Sequence, residues 1–184
     1  MNRYQITDRK SAGSLDALLA SIARSDAAGV GMIQVREKDL DTRALCALVA
    51  QVLSICRNAR VLVNSRVDVA LACGAHGVHL PGGSMEPAVW RPILPAGFLM
   101  GVSCHDLDEL AAAEAGGADF AVFGPVFRPL SKQDDRACLG LDGLRKAAGA
   151  VKIPVYALGG ITWENAASCV EAGAAGVAGI TLFQ

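Results

Sequence analysis

Short apolar runs alternate with amphipathic stretches along the whole chain, and most of the runs end in polar or glycine-rich residues. Tyr4 to Thr7 reads as a first strand, followed by a polar loop at Asp8-Arg9-Lys10. From Ser14 to Ala28 the apolar residues Leu15, Leu18, Leu19 and Ile22 share one helix face, and Gly29 ends it. The pattern then repeats. Strands are expected at Val30 to Val35, Arg60 to Val63, Gly77 to Leu80, Leu99 to Cys104, Phe120 to Phe123, Val155 to Leu158 and Gly176 to Thr181. Between them lie helical stretches from Asp41 to Cys56, Val67 to Cys73 and Glu86 to Ile93, the last weakened by Pro87 and Pro92. Others run from His105-Asp106 to Ala115, from Leu141 to Val151, and from Trp163 to Ala172 with Thr162 as N-cap.

Eight apolar strands alternating with helices predict an α/β protein, a (β/α)8 TIM barrel in one domain over residues 1–184. A weak repeat supports the count. Ala-Gly-Val-Gly at 28–31, Gly-Ala-His-Gly-Val at 74–78, Gly-Ala-Asp-Phe-Ala at 117–121 and Gly-Ala-Ala-Gly-Val at 173–177 precede strands two, four, six and eight. Glycine as a common helix stop is the plainer explanation, and it leaves the strand count intact. No helix is expected after strand eight, so the barrel lacks its last helix, and a homo-oligomer partner would cover that flank.

Composition narrows the class. Hydrophobic residues make up 52% of the chain with few aromatics, which suits tightly packed strands and helices. A net charge of -1 gives no basic footprint for nucleic acid. No apolar run reaches the roughly 18 residues that would cross a membrane. Six cysteines without a CxxC pair read as reduced thiols in a cytoplasmic protein.

In a barrel of this kind chemistry gathers at the C-terminal strand ends. Strand two offers Gln34, Arg36 and Lys38 in alternation, on one face if the strand extends that far. Two cations there suit a phosphate or pyrophosphate, the plainer alternative being a solvated Arg-Glu-Lys turn. Strand three ends in Asn64, Ser65 and Arg66, with Asp68 as a partner for Arg66. His79 on strand four reads as a satisfied structural residue. Ser103 on strand five can donate to a phosphate, whereas Cys104 and His105 point apart on a strand and make a poor nucleophilic dyad. The long loop after strand six carries Ser131 and Lys132, placed to close over an anion. Gly159-Gly160 and Gly179 end two consecutive strands. Glycines admit close backbone approach, and in this order they point to a phosphate site rather than to tight turns alone. No His/Cys/Asp cluster has metal-ligand spacing, and no zinc is predicted.

Several segments together resemble the thiamine phosphate synthase/TenI superfamily: Ile33-Gln34-Val35-Arg36-Glu37-Lys38, Val63 to Leu71, Gly77-Val78-His79-Leu80, Gly101-Val102-Ser103, Phe123 to Phe127 and Gly159-Gly160-Ile161-Thr162. The resemblance spans nearly the whole chain. It implies a synthase that joins a pyrimidine pyrophosphate to a thiazole phosphate, or a TenI-like relative such as a thiazole tautomerase, in thiamin biosynthesis. It puts Gln34, Arg36, Lys38, Asn64 and Lys132 on a pyrophosphate, Ser103 at the reacting end, and Gly160, Gly179 and Thr181 on the thiazole phosphate. Ser103 and Lys132 are thus the candidate catalytic residues.

The departures are specific. Ser65 and Ser84 stand where the synthase carries acidic magnesium ligands, and Pro125 stands where the tautomerase carries its catalytic histidine. Without those carboxylates no protein-held metal is expected and no cofactor is tightly bound; Mg2+ would come with a pyrophosphate substrate. Proline moves no proton. The expectation is a TenI-like thiazole-phosphate binder with altered catalytic residues; an active synthase and a non-catalytic sensor or partner protein stay open.

Overall fold

The computed structural model describes residues 1–128 and 137–184. Its strands are β1 (Asn2–Ile6), β2 (Met32–Val35), β3 (Arg60–Asn64), β4 (Gly77–Leu80), β5 (Leu99–Cys104), β6 (Phe120–Phe123), β7 (Val155–Ala157) and β8 (Gly176–Gly179). They pair in parallel in sequence order, and β8 pairs back onto β1 to close the barrel. The helices are α1 (Arg9–Ala12), α2 (Leu15–Ala27), α3 (Thr42–Ile55), α4 (Val67–Ala72), α5 (Pro87–Trp90), α6 (Leu107–Ala115), α7 (Gly140–Ala150) and α8 (Ala166–Glu171). A 3-10 turn, Arg91–Ile93, follows α5, and another, Thr181–Phe183, follows β8. The (β/α)8 expectation is met.

The joints follow from capping chemistry. Ser14, Asp41 and Asp106 each accept a backbone N–H three residues on, from Ala17, Ala44 and Glu109. The sequence repeat is a Schellman stop used four times. Gly29, Gly74, Gly117 and Gly173 all have positive φ. Each donates to the residue three back, and the next residue donates five back, as in Val30 to Ser25 and Ala174 to Cys169.

Two local expectations are corrected. Asp8-Arg9-Lys10 is not a loop but the start of α1, because the Asp8 carboxylate accepts from the N–H groups of Lys10 and Ser11. Thr162 is not an N-cap. Asn165 turns back instead, accepting from the Thr162 N–H at 2.9 Å and donating to the Gly160 carbonyl at 2.9 Å, and α8 begins only at Ala166.

The core has two shells. Outward-facing Ile33, Val35, Val61, Val63, Val78 and Met100 pack under the helices. Inside the barrel, Tyr4, Phe120 and Tyr156 meet edge to face with ring centres 5.5, 5.6 and 6.2 Å apart. The Phe120 ring fits because β5 contributes Gly101 opposite it. A Cβ on Gly101 would lie 2.3 Å from the tip of the Phe120 ring. Gly101→Ala is therefore expected to cost about 1–3 kcal/mol by overpacking, and Phe120→Leu in the same chain should recover part of it. Urea titration of the single and double variants checks this; an unchanged midpoint for Gly101→Ala would refute the fit.

Candidate functional site

β2 ends at Val35, so the alternation of Gln34, Arg36 and Lys38 does not continue as strand. Gln34 is buried inside the barrel, Arg36 is half-buried and Lys38 is exposed. The solvated-turn alternative fails at Glu37, which is 5% exposed. Its carboxylate accepts from the Thr7 hydroxyl at 2.7 Å and from the Arg9 N–H at 3.1 Å, and pairs with the Arg9 guanidinium at 3.7 Å. Thr7 Oγ1 in turn accepts from the Arg36 N–H at 2.9 Å. Arg9 makes a forked bond to Asp39 at 2.9 and 3.0 Å. The turn carrying Arg36 and Lys38 is thus fastened to Thr7 and to Arg9 at the start of α1.

Next to it lies a cavity of about 320 Å³ lined by Lys38, Asn64, Ser65, Arg66, Glu37 and Pro81 with Val35, Leu40 and Leu45. Asn64 Nδ2 donates to Ser65 Oγ at 3.3 Å. Arg66 forks onto Asp68 at 2.8 and 2.6 Å, as the sequence suggested, and also reaches Thr42 Oγ1 at 3.1 Å. Ser65 sits at φ 57, in the left-handed region where Asn and Asp are the more tolerant non-glycine residues.

Toward β5 the mouth changes from cationic to neutral. Ser103 Oγ is 2.8 Å from His79 Nε2, and His79 Nδ1 is 3.3 Å from the Tyr4 hydroxyl. Gln34 Nε2 donates to the same hydroxyl at 3.0 Å. Burial, and then the positive Arg36, hold His79 down to about 3, so the ring is neutral. Burial raises Tyr4 far above the usual phenol range despite the Gln34 bond. Cys104 faces the helix layer, and burial pushes its thiol up to about 12, which removes it as a nucleophile.

The glycine corner is built by close packing. Gly159 and Gly160 both have positive φ, and a Cβ on Gly160 would lie 2.5 Å from the Arg128 carbonyl. The loop after β6 runs alongside: Val126 N–H donates to the Leu158 carbonyl at 2.8 Å and Phe127 N–H to Gly159 at 3.0 Å. A turn requirement therefore accounts for both glycines. Even so, among the described residues the N–H groups of Gly160 and Ile161 have no hydrogen-bond partner. Gly179 is buried at the end of β8 and Thr181 is exposed beyond it. Pro125 is buried behind a cis peptide bond, and the His105 ring meets the Gly124 carbonyl at 2.6 Å. Ser84 is exposed, its hydroxyl donating to the Pro81 carbonyl at 2.7 Å. Ser131 and Lys132 lie outside the described residues.

Sequence reasoning missed Tyr4, Thr7 and Glu37, and it gave His79 a bland role. Only the pairing of His79 with Ser103 on neighbouring inward positions could have flagged it. Among the described residues no three His, Cys, Asp or Glu side chains group to hold a metal, and no helix is long and apolar enough to cross a membrane.

A closed (β/α)8 barrel with a polar mouth of this kind, cationic at β2 and β3 and glycine-lined at β7, defines a barrel protein with its site at the C-terminal strand ends. The family model described as thiamine monophosphate synthase matches residues 3–183, and the chain belongs to that family. A Geobacter sulfurreducens relative is 48% identical over 177 residues, covering 95% of this chain and 83% of its own. The thiamine-phosphate synthase of Methanoregula boonei is 39% identical over 184 residues, covering 98% and 84%. A solved thiamine phosphate pyrophosphorylase from Pyrococcus furiosus superposes with a TM-score of 0.86 at 36% identity, covering 98% of this chain and 85% of that one.

The neutral His79 has a stability consequence. The unfolded chain takes up its proton near 6.5, the folded chain only near 3. His79 therefore contributes in full above pH 6.5, and its contribution is lost as the pH falls from 6.5 toward 3, by at most about 1.4 kcal/mol per pH unit. His79→Gln should flatten that part of the acid limb. Urea titrations at several pH values in the window check it, and an identical acid limb in the variant would contradict the buried neutral ring.

Proposed function

We propose that this chain is a TenI-like member of its family, binding thiazole phosphate at the β7–β8 side of the mouth, with catalytic residues altered from both parent activities. The donor chemistry at three positions carries the reading. Ser65 and Ser84 present neutral hydroxyls, one of them turned onto a backbone carbonyl, so the protein supplies no carboxylate pair for a hard cation. The residues do not fit a protein-held magnesium site, and magnesium would arrive as counter-ion of a pyrophosphate substrate. Pro125 cannot carry a proton, so the tautomerase route has no acid or base at that position.

A second reading, an active thiamine phosphate synthase, is favoured by the cationic corner. Lys38 and Asn64 line one cavity, Arg36 stands two residues before Lys38 on the same turn, and relatives carry that name. Arg36 and Lys38 would then stabilise the departing pyrophosphate while the thiazole nitrogen forms the new bond to the pyrimidine carbon. Ser131 and Lys132 keep the closing role expected from their loop, Lys132 the pyrophosphate contact that the resemblance implies, Gly160, Gly179 and Thr181 the thiazole phosphate, and Gly159 a place in the same phosphate site.

The deciding experiment mixes the protein with pyrimidine pyrophosphate, thiazole phosphate and magnesium and looks for thiamine phosphate by chromatography. No product with thiazole phosphate still bound supports the first reading, or a sensor if the unaromatised thiazole is also left unchanged. Sustained product replaces it with the second. For the cationic corner, Arg36→Ala should weaken pyrophosphate binding about tenfold or more, since a charged hydrogen bond contributes roughly 1.5–3 kcal/mol. Calorimetry measures this; equal affinities would remove Arg36 from the site.

A further inference from the structure

The four side chains Gln34, Tyr4, His79 and Ser103 form an unbroken file from the barrel interior to its mouth. Their chemistry leaves little choice of direction. The buried phenol keeps its proton. Its oxygen already accepts from Gln34 Nε2, so its own hydrogen is directed at the remaining neighbour, His79 Nδ1. A neutral imidazole with Nδ1 accepting must carry its one proton on Nε2. That proton faces Ser103 Oγ at 2.8 Å. The Ser103 hydroxyl thus accepts from below, and among the described residues no acceptor takes its own hydrogen. Ser103 is only half-buried, at the open end of the file.

We infer that His79 is a positioning residue: held in one tautomer by Tyr4 and Gln34, it fixes Ser103 as a hydrogen-bond donor toward an acceptor atom of the bound ligand. This rests on the phosphorylated-ligand reading above and deepens it, because it states which kind of atom Ser103 recognises. A ring nitrogen or a phosphoryl oxygen takes the Ser103 hydrogen, whereas an amino group would meet only the remaining lone pair of its oxygen. The opposite direction would need the Gln34 amide turned so that its carbonyl faces Tyr4. Ser103 would then donate to His79 and offer only a lone pair to the mouth.

The direction is tested first on the unaltered, ligand-free protein, by nitrogen-15 NMR of the His79 ring. A proton on Nε2 is expected, and a proton on Nδ1 would overturn the proposal without any variant or ligand. The positioning role is tested by Tyr4→Phe, which removes the hydrogen that selects the tautomer. It should mix the two ring forms and weaken thiazole phosphate binding about threefold to tenfold, and the effect should vanish in a Ser103→Ala background. The same fall in both backgrounds would mean that Tyr4 acts through packing alone and would overturn the role. Inorganic pyrophosphate as a parallel probe separates a phosphoryl acceptor from one on the ring. If the unaltered protein binds neither compound, the functional reading falls, and the ring tautomer alone decides the proposal.

Discussion

β1 hydrogen-bonds to β2 on one side and to β8 on the other, and that second pairing turns a sheet into a closed ring with no free edge. Closure fixes how much volume the inward side chains must share. Tyr4, Phe120 and Tyr156 fill the middle of the ring, and Gly101 on β5 makes room for Phe120. Tyr4 can reach His79, three strands away along the sheet, only because the ring brings them together across its interior. One residue of the closing strand is thus both part of the hydrophobic plug and the base of the polar file above it.

Above the plug the mouth divides by chemistry. On the β2–β3 side a buried carboxylate, Glu37, fastens the turn that carries Arg36 and Lys38, and Lys38 lines a cavity there. On the β7 side two positive-φ glycines let the loops after β6 and β7 run side by side, and among the described residues the N–H groups of Gly160 and Ile161 have no partner. Ser103 stands between the two sides, backed by a neutral ring. This arrangement supports the anion-binding reading proposed above. On that reading magnesium would come with the substrate, since Ser65 and Ser84 carry no charge.

Most of the fold was legible in the chain because its signals are local. Strand and helix periods differ, Ser14, Asp41 and Asp106 are strong caps, and the recurring glycine after each of four helices marks a stop that any helix can use. Where a local rule failed, a neighbouring side chain had outcompeted it. Asn165 bonded back to the turn and took the helix start from Thr162, and Asp8 nucleated a helical turn in what read as a loop.

By itself, then, the sequence determined the strand order, the positions of the joints and the strand ends from which polar groups would project, because these depend on residues within one or two turns of each other. The tertiary structure alone decided which of those groups meet. Gln34 reads in sequence as an anion ligand, yet closure turns its amide inward onto Tyr4. Glu37 reads as a solvated charge, yet Thr7 and Arg9 bury it. His79 reads as a bland core histidine, yet it joins Tyr4 to Ser103 across residues 4, 79 and 103. Such contacts depend on barrel closure and on desolvation, which are properties of the assembled ring and have no signature within a short window of sequence.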